Sequence, residues 1–303
     1  MDSLIILTLS RVKGIGNKRI YLFYDLFDSY VFKDLITLFN DLLQLINQLK
    51  LNIEINYEQI CLYYEEAKSV LEHCDEMHIS VLNFTDDRFP SRLKKIDNPP
   101  ALLFCKGNLD LLKRDRLIAV VGSRNLTDIA LELGRRLVER FLEEKFVIVS
   151  GLAIGSDYIA HKTALSGKGE TIAVLPSGLE NIYPELNNKL ANQIIDDNGL
   201  LLTEYTPGSE AKRSMFLERN RIVSGLSLGV AIIQCEKKSG TMETVKLAKK
   251  QKKKIAAIDY SFMKSNDVRF DGNRFLISND IAVPLDSVES ILKFSQEITS
   301  NLQ

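Results

Sequence analysis

The amino-acid sequence predicts an α/β protein in which a doubly wound, mostly parallel sheet follows an all-helical segment. Two observations carry this. Between residue 117 and about residue 260, short apolar runs alternate with amphipathic helical stretches, the pattern of parallel strands covered on both faces by crossover helices. Residues 1–70 are instead rich in Leu, Ile and Phe and show no β-type alternation, which marks them as helical.

The strands are expected at 117–121, 146–150, 171–175, 200–204, 229–235 and 254–258, and the helices near 127–144, 156–166, 185–197, 215–224 and 241–251. The helix at 127–144 carries Ile129, Leu133, Leu137 and Phe141 at i+4 spacing, a core-facing stripe. Beyond 260 the pattern weakens to one strand, Ile281 to Leu285, and a terminal helix at 287–298. Asp86-Asp87-Arg88-Phe89-Pro90 and Asn98-Pro99-Pro100 interrupt regular structure, and Ala101 to Cys105 is a further short strand. The expected organisation is a helical domain over 1–75, the α/β domain over 76–290 and a short tail over 291–303. Within the first, Leu9 to Ile20 has the pattern of a helix-hairpin-helix. Gly14 and Gly16 would form its turn, with Lys13, Lys18 and Arg19 beside it. Such a turn lets backbone N–H groups approach a phosphate, but glycines needed only for the bend explain it equally well.

A chain of 303 residues with a net charge of −1 confines any nucleic-acid site to a local patch. No apolar run approaches the roughly 18 residues of a membrane span, and no leader-like cleavage site follows the N-terminus, so a mature cytoplasmic protein is expected. Cys61, Cys74, Cys105 and Cys235 are widely spread, as reduced thiols would be. With His73 and His78 they fit no zinc spacing, and no metal is expected.

In open α/β sheets ligands bind at the carboxyl ends of the strands. Several small-residue elements fall there: Gly122-Ser123-Arg124, Ser150-Gly151, Gly178 and Ser239-Gly240-Thr241. Backbone N–H groups at a helix start favour anions, so several such loops on one edge point to a phosphate. The motifs G-x-G-x-x-G and G-x-x-x-x-G-K-[ST] are missing, as is the nucleophile elbow G-x-S-x-G. Asp157 and His161 share a helix face without a nearby nucleophile; Asp157 is expected to support the helix N-terminus and His161 to pack or hydrogen-bond locally. Phe216 lies close to Arg219, Asn220 and Arg221. Such a group suits a single strand, with guanidinium on phosphate and a ring on a base, although solvated helices also carry arginine pairs. The Lys249–Lys254 run is of the kind that usually stays solvated at a helix end.

These motifs, in this order, resemble the DNA-processing protein A (DprA, or Smf) family. The resemblance is carried by Val12-Lys-Gly-Ile-Gly16, Phe89-Pro90, Asn98 to Phe104, Lys106-Gly107, Val120 to Arg124, Val149 to Asp157 and Ala160-His161. It continues through Thr171 to Leu175, Gly178-Leu179, Tyr183-Pro184, Leu200 to Tyr205, Pro207-Gly208, Phe216 to Ile222, Ser224 to Ser227 and Ser239 to Thr241. It implies an extended Rossmann-like domain after a SAM-like helical one. It also implies single-stranded DNA binding without catalysis or cofactor, a homodimer, and help in loading the RecA recombinase during natural transformation. Gly122, Ser123, Arg124, Ser150, Gly151, Phe216, Arg219, Asn220, Arg221, Ser239, Gly240 and Thr241 would then line the DNA pocket. Two segments depart from the family: Ile258-Asp259-Tyr260-Ser261, where a Pro-Gly-Ser turn is usual, and Gly272-Asn273-Arg274-Phe275-Leu276-Ile277. Both bear on the pocket rim. Little chain follows residue 290, so the winged helix of many members is expected to be absent. The alternative is a nucleoside-monophosphate-binding or N-glycoside-cleaving enzyme. Against it, Ser239-Gly240-Thr241-Met242-Glu243 lacks that group's double glycine. Glu243 also comes one residue early, which on a helix turns a carboxylate by about 100°.

Overall fold

The computed structural model describes residues 2–27, 32–263 and 265–300. It divides into two compact units, Met1–Cys105 and Lys106–Gln303, later than the boundary expected after residue 75.

The first unit is led by four helices, α1 (Ser3–Arg11), α2 (Asn17–Leu26), α3 (Leu35–Gln48) and α4 (Tyr57–Glu76). Asp2, Asp34 and Asn56 cap α1, α3 and α4 by accepting from backbone N–H groups of the first turns. Ile5, Leu9, Phe23, Leu38, Leu42 and Ile60 are fully buried between them. The unit ends with β1 (Ser80–Asn83), the short helix α5 (Ser91–Lys94) and β2 (Leu102–Gly107); β1 and β2 run antiparallel, Ser80 opposite Cys105. In the hairpin between α1 and α2, Gly14 takes φ +97°, a value that only glycine adopts freely. Arg19 turns back to donate to the Gly14 carbonyl, and Lys18 donates to Asp97 at 2.5 Å. Two of the three cations beside the turn thus pair within the unit, at its surface, while Lys13 is exposed.

The second unit alternates strand and helix: β3 (Leu117–Val121), α6 (Asp128–Glu143), β4 (Val147–Ser150), α7 (Ser156–Ser166), β5 (Thr171–Val174), α8 (Asn188–Asp196), β6 (Leu200–Thr203), α9 (Arg213–Leu226), β7 (Gly229–Ile232), α10 (Gly240–Lys250), β8 (Lys254–Ile258), α11 (Asp271–Ser278), β9 (Val283–Leu285) and α12 (Val288–Thr299). Its strands lie in the order β6-β5-β4-β3-β7-β8-β9, every neighbouring pair parallel. The chain therefore steps outward from β3 to β6 and crosses back to β7 on β3's other side. β3 to β7 are buried at every position, as apolar runs covered on both faces should be. On α6 the buried stripe is Ala130, Gly134, Leu137, Val138 and Phe141, while Ile129 and Leu133 pack at its margin. α12 is no tail: Phe294 and Ile298 join the core with Phe141 and Phe146. Residues 301–303 lie outside the described residues.

The two family-divergent segments serve the sheet. Tyr260 is fully buried and its hydroxyl donates to the Ile233 carbonyl at 3.0 Å. The Asn273 amide donates to Ile233 and Ile258 carbonyls, both at 3.0 Å, and its oxygen accepts from Cys235 N–H at 2.8 Å. Together they tie the ends of β7 and β8.

Candidate nucleic-acid interface

Because α9 is the crossover from β6 to β7, it packs past β5, β4 and β3. One of its faces therefore lies beside the loops that leave those strands. The result is a cleft of about 60 Å³ lined by Arg124 from β3, Gly151, Ala153 and Ile154 from β4, Tyr183 and Pro184 from β5, and Phe216 and Arg219 from α9.

The loop carrying Arg124 is fixed by its backbone. Ser123 N–H donates to the Gln234 carbonyl at 2.6 Å, and the Ser123 carbonyl accepts from Ser156 N–H at 3.0 Å. The Ser156 hydroxyl reaches that same carbonyl at 3.0 Å, and the Gln234 side chain accepts from Thr127 N–H at 3.0 Å. Arg124 projects from this frame, exposed, with its guanidinium 5.4 Å from the Phe216 ring centre. Phe216 meets Tyr183 edge to face at 5.3 Å, an arrangement that rings favour. Cation and aromatics therefore form one surface.

Arg219 is the floor. It is 4% exposed, and Nη1 donates to the Val174 carbonyl at 2.8 Å. Gly151 makes its passage possible, since a Cβ there would lie 1.4 Å from Nη1. Glycine at 151 is thus a requirement of close approach, not of φ. Asp157 accepts from Ala153 N–H at 3.2 Å, steadying the start of α7 as its position suggested. His161 is fully buried with Nδ1 2.7 Å from the Thr171 hydroxyl. That hydroxyl donates to the Ile148 carbonyl, so Nδ1 carries the proton. Burial, and then the Arg219 charge, push the His161 pKa down to about 3.

Of the residues expected to form the site, Arg124, Gly151, Phe216 and Arg219 come together. Others are placed differently. Ser150 is fully buried and its hydroxyl donates across the sheet to the Val120 carbonyl at 2.6 Å, because its side chain points into a core strand pair. Arg221 faces away from the cleft and pairs with Glu204 at 2.5 Å, the side chains only 7% and 10% exposed. Two residues from Arg219 on a helix, it is turned by about 200°, and Asn220 lies between the two directions. Gly122 and Ser123 frame the Arg124 loop without lining the cleft. A Cβ on Gly122 would come within 2.3 Å of the Ser156 hydroxyl. Ser239, Gly240 and Thr241 start α10 beyond β7, with the Ser239 hydroxyl on the Glu236 carbonyl; none of them lines the cleft. Glu243 there pairs with Lys246. Sequence reasoning missed Ala153, Ile154, Tyr183 and Pro184 as lining residues. Exposed Lys212 and Arg213 also lie just ahead of Phe216 at the start of α9.

A larger groove of about 500 Å³ runs between α6, the end of β8 and α12, floored by Leu133, Leu137 and Ile291. Arg135, Arg136 and Arg140 on its rim pair with glutamates of their own helix.

A parallel sheet whose strand ends meet an exposed Arg124, a buried Arg219 from α9 and an edge-to-face ring pair defines a doubly wound α/β protein with a small cationic cleft at its strand ends. The model of the family described as DNA recombination-mediator protein A matches residues 80–296, and the chain belongs to that family. DNA processing protein DprA of Streptococcus pneumoniae is 37% identical over 230 residues, 73% of this chain and 78% of that protein. DprA of Bacillus subtilis is 36% identical over 196 residues, 65% of this chain and 66% of its own length. The X-ray structure of the S. pneumoniae DprA superposes with a TM-score of 0.79 at 30% identity, covering 97% and 98% of the two chains. A Helicobacter pylori DprA structure, whose subject is the single-stranded DNA binding mode of that protein, gives 0.64 at 31% identity and covers 74% and 96%. No described helix is long and apolar enough to cross a membrane.

Proposed function

We propose that this protein binds single-stranded DNA as a recombination mediator, without catalysing a reaction. It would help to load a RecA-type recombinase, as in natural transformation. The observation that carries the reading is the strand-end cleft, where Arg124 lies over Phe216 and Phe216 meets Tyr183. A guanidinium for the backbone beside rings for the bases is what a strand with splayed bases requires. The single-stranded DNA binding mode described for the H. pylori relative supports the same reading. Against the nucleoside-cleaving alternative, Glu243 is engaged by Lys246 and lies outside the cleft.

A binding series with oligonucleotides of increasing length, single- and double-stranded, at two salt concentrations tests this. Single strands should bind more tightly than matched blunt duplex, and Phe216→Ala should weaken binding about 5- to 150-fold, the worth of one stacked base. Equal affinity for duplex, or a Phe216→Ala protein that binds normally, would contradict it.

The family resemblance also suggests a homodimer through the region 225–290, which presents exposed Phe262, Val268 and Val283. Sedimentation at micromolar concentration should give twice the monomer mass. A monomer throughout would remove this part of the reading.

A further inference from the structure

The hairpin of the helical unit has no part in the strand-end cleft, and it collects positive charge. Lys13 and Lys18 are exposed beside its turn, and Lys94 and Lys95 are exposed at the end of α5. The start of α2 is held against the segment that follows α5. Lys18 donates to Asp97, the Asn17 side chain accepts from Ala101 N–H at 3.3 Å, and the Tyr21 hydroxyl donates to the Pro100 carbonyl at 3.2 Å. Lys13, Arg19, Lys94 and Lys95 therefore border one surface. Asp97 answers Lys18, but Arg19 donates to a neutral carbonyl, that of Gly14. Lys13, Lys94 and Lys95 form no ion pair with a described residue. The same unit is acidic on α4, with Glu58, Glu65, Glu66, Glu72, Asp75 and Glu76 against Lys68 alone, so the basic surface is local. Gly14 owes its residue type to φ +97°. Gly16 does not: its φ −97° and ψ −179° suit any residue, and a Cβ there would meet nothing within 4 Å. Neither the bend nor internal packing requires glycine at 16; close approach of an outside group to the backbone does. The rings beside these cations are engaged. Phe89, 5.9 Å from the Lys94 ammonium, is 4% exposed, and Tyr21 stacks on Phe84 at 4.1 Å. An unpaired base finds no platform here, so contact is to backbone alone. That favours a duplex, which carries one charge per about 1.7 Å, twice the density of one strand.

We propose that the hairpin and α5 form a second nucleic-acid surface, which takes the phosphate backbone of duplex DNA. Lys13, Arg19, Lys94 and Lys95 supply the cations, and Gly16 lets the backbone come close. Binding there is independent of base sequence and weaker than that of a single strand at the cleft, with a Kd of about 1–100 µM at physiological salt. This surface does not depend on the single-strand reading above; with both, the protein suits DNA that is part duplex and part single strand.

The test titrates the full chain with a blunt duplex and with a short single strand across a range of salt, beside melting curves. With four phosphates neutralised, the duplex salt slope should be about −3.6, and affinity should fall roughly 150-fold between 50 and 200 mM salt. The triple variant Lys13→Gln, Lys94→Gln, Lys95→Gln should flatten that slope to about −0.9 and bind the single strand as the wild type does. It should melt within about 3 °C of the wild type, since all three lysines are exposed. Gly16→Asp should not lower Tm, because aspartate is the better helix cap. Its carboxylate stands where a phosphate would come, so duplex binding should weaken about tenfold, the worth of a unit charge repelled near the surface. Wild-type duplex affinity and slope in the triple variant would overturn the proposal, and so would unchanged duplex affinity in Gly16→Asp. A triple variant that loses the single strand instead of the duplex would also overturn it, since these cations would then extend the single-strand path. Phe216→Ala separates this surface from the cleft. Duplex binding lost in Phe216→Ala but kept in the triple variant places the duplex at the cleft and ends the proposal. Normal strand binding in Phe216→Ala, with duplex binding lost in the triple variant, sinks the single-strand reading of the cleft and leaves the hairpin surface standing.

Discussion

Arg221→Ala should lose about 3–5 kcal/mol of stability while the salt dependence of DNA binding stays unchanged. The Arg221–Glu204 pair is 2.5 Å long, with side chains 7% and 10% exposed, and Arg221 also donates to the Glu218 carbonyl. Deleting the guanidinium takes the paired cation away from a carboxylate whose side chain is only 10% exposed. The expected fall in Tm is at least 6 °C, at roughly 2–4 °C per kcal/mol for a unit of this size. Replacing both partners with methionine should be less damaging than either single change, because no buried charge then remains. Thermal melts of the singles and the double give the coupling directly. If Arg221→Ala melts like the wild type but binds DNA with a flatter salt slope, Arg221 contacts DNA and its placement against Glu204 is not what matters.

The contrast between Arg219 and Arg221 shows where sequence reading reaches and where it stops. The strands were legible because a parallel strand buried on both faces is a short, almost purely apolar run, as Leu117–Val121 and Val147–Ser150 are. That ligands of such a sheet are expected at its strand ends follows from topology. Arg124, Gly151, Phe216 and Arg219, which do line one cleft, stand out in the sequence because glycine, arginine and an aromatic there have the chemistry of a phosphate and base contact. Residue type does not reveal direction, however. Ser150 and Arg221 have chemistry suited to a phosphate but point at Val120 and Glu204. Tyr183, Pro184 and Ile154 were missed because nothing local marks them. They join the cleft only when the α9 crossover brings Phe216 beside the β4 and β5 ends. The close approach of Arg219 to Gly151 has the same origin, a juxtaposition of residues far apart in the chain.

Arg124→Ala should weaken single-strand binding about 10- to 100-fold at low salt, the worth of a charge-assisted contact. Its stability should fall by less than about 1 kcal/mol. The small stability effect follows from position: Arg124 is exposed, and its one intramolecular contact of note is with the Phe216 ring at 5.4 Å, worth about 0.5–1 kcal/mol at an exposed site. The large binding effect follows from the frame around it. Ser123 is held by Gln234 and Ser156, so little ordering is needed when a phosphate arrives, and an arginine fork can engage two of its oxygens. If three to five phosphates are neutralised over the whole interface, the single-strand salt slope should be about −2 to −3.5. Affinity should then drop roughly 20- to 130-fold between 50 and 200 mM salt. Removing Arg124 should flatten that slope by about 0.7, the share of one phosphate. Titrations of both proteins across this salt range, beside their melting curves, separate the two roles. A substituted protein that melts early yet binds with the wild-type slope would make Arg124 a structural residue and move the DNA site elsewhere on the sheet edge.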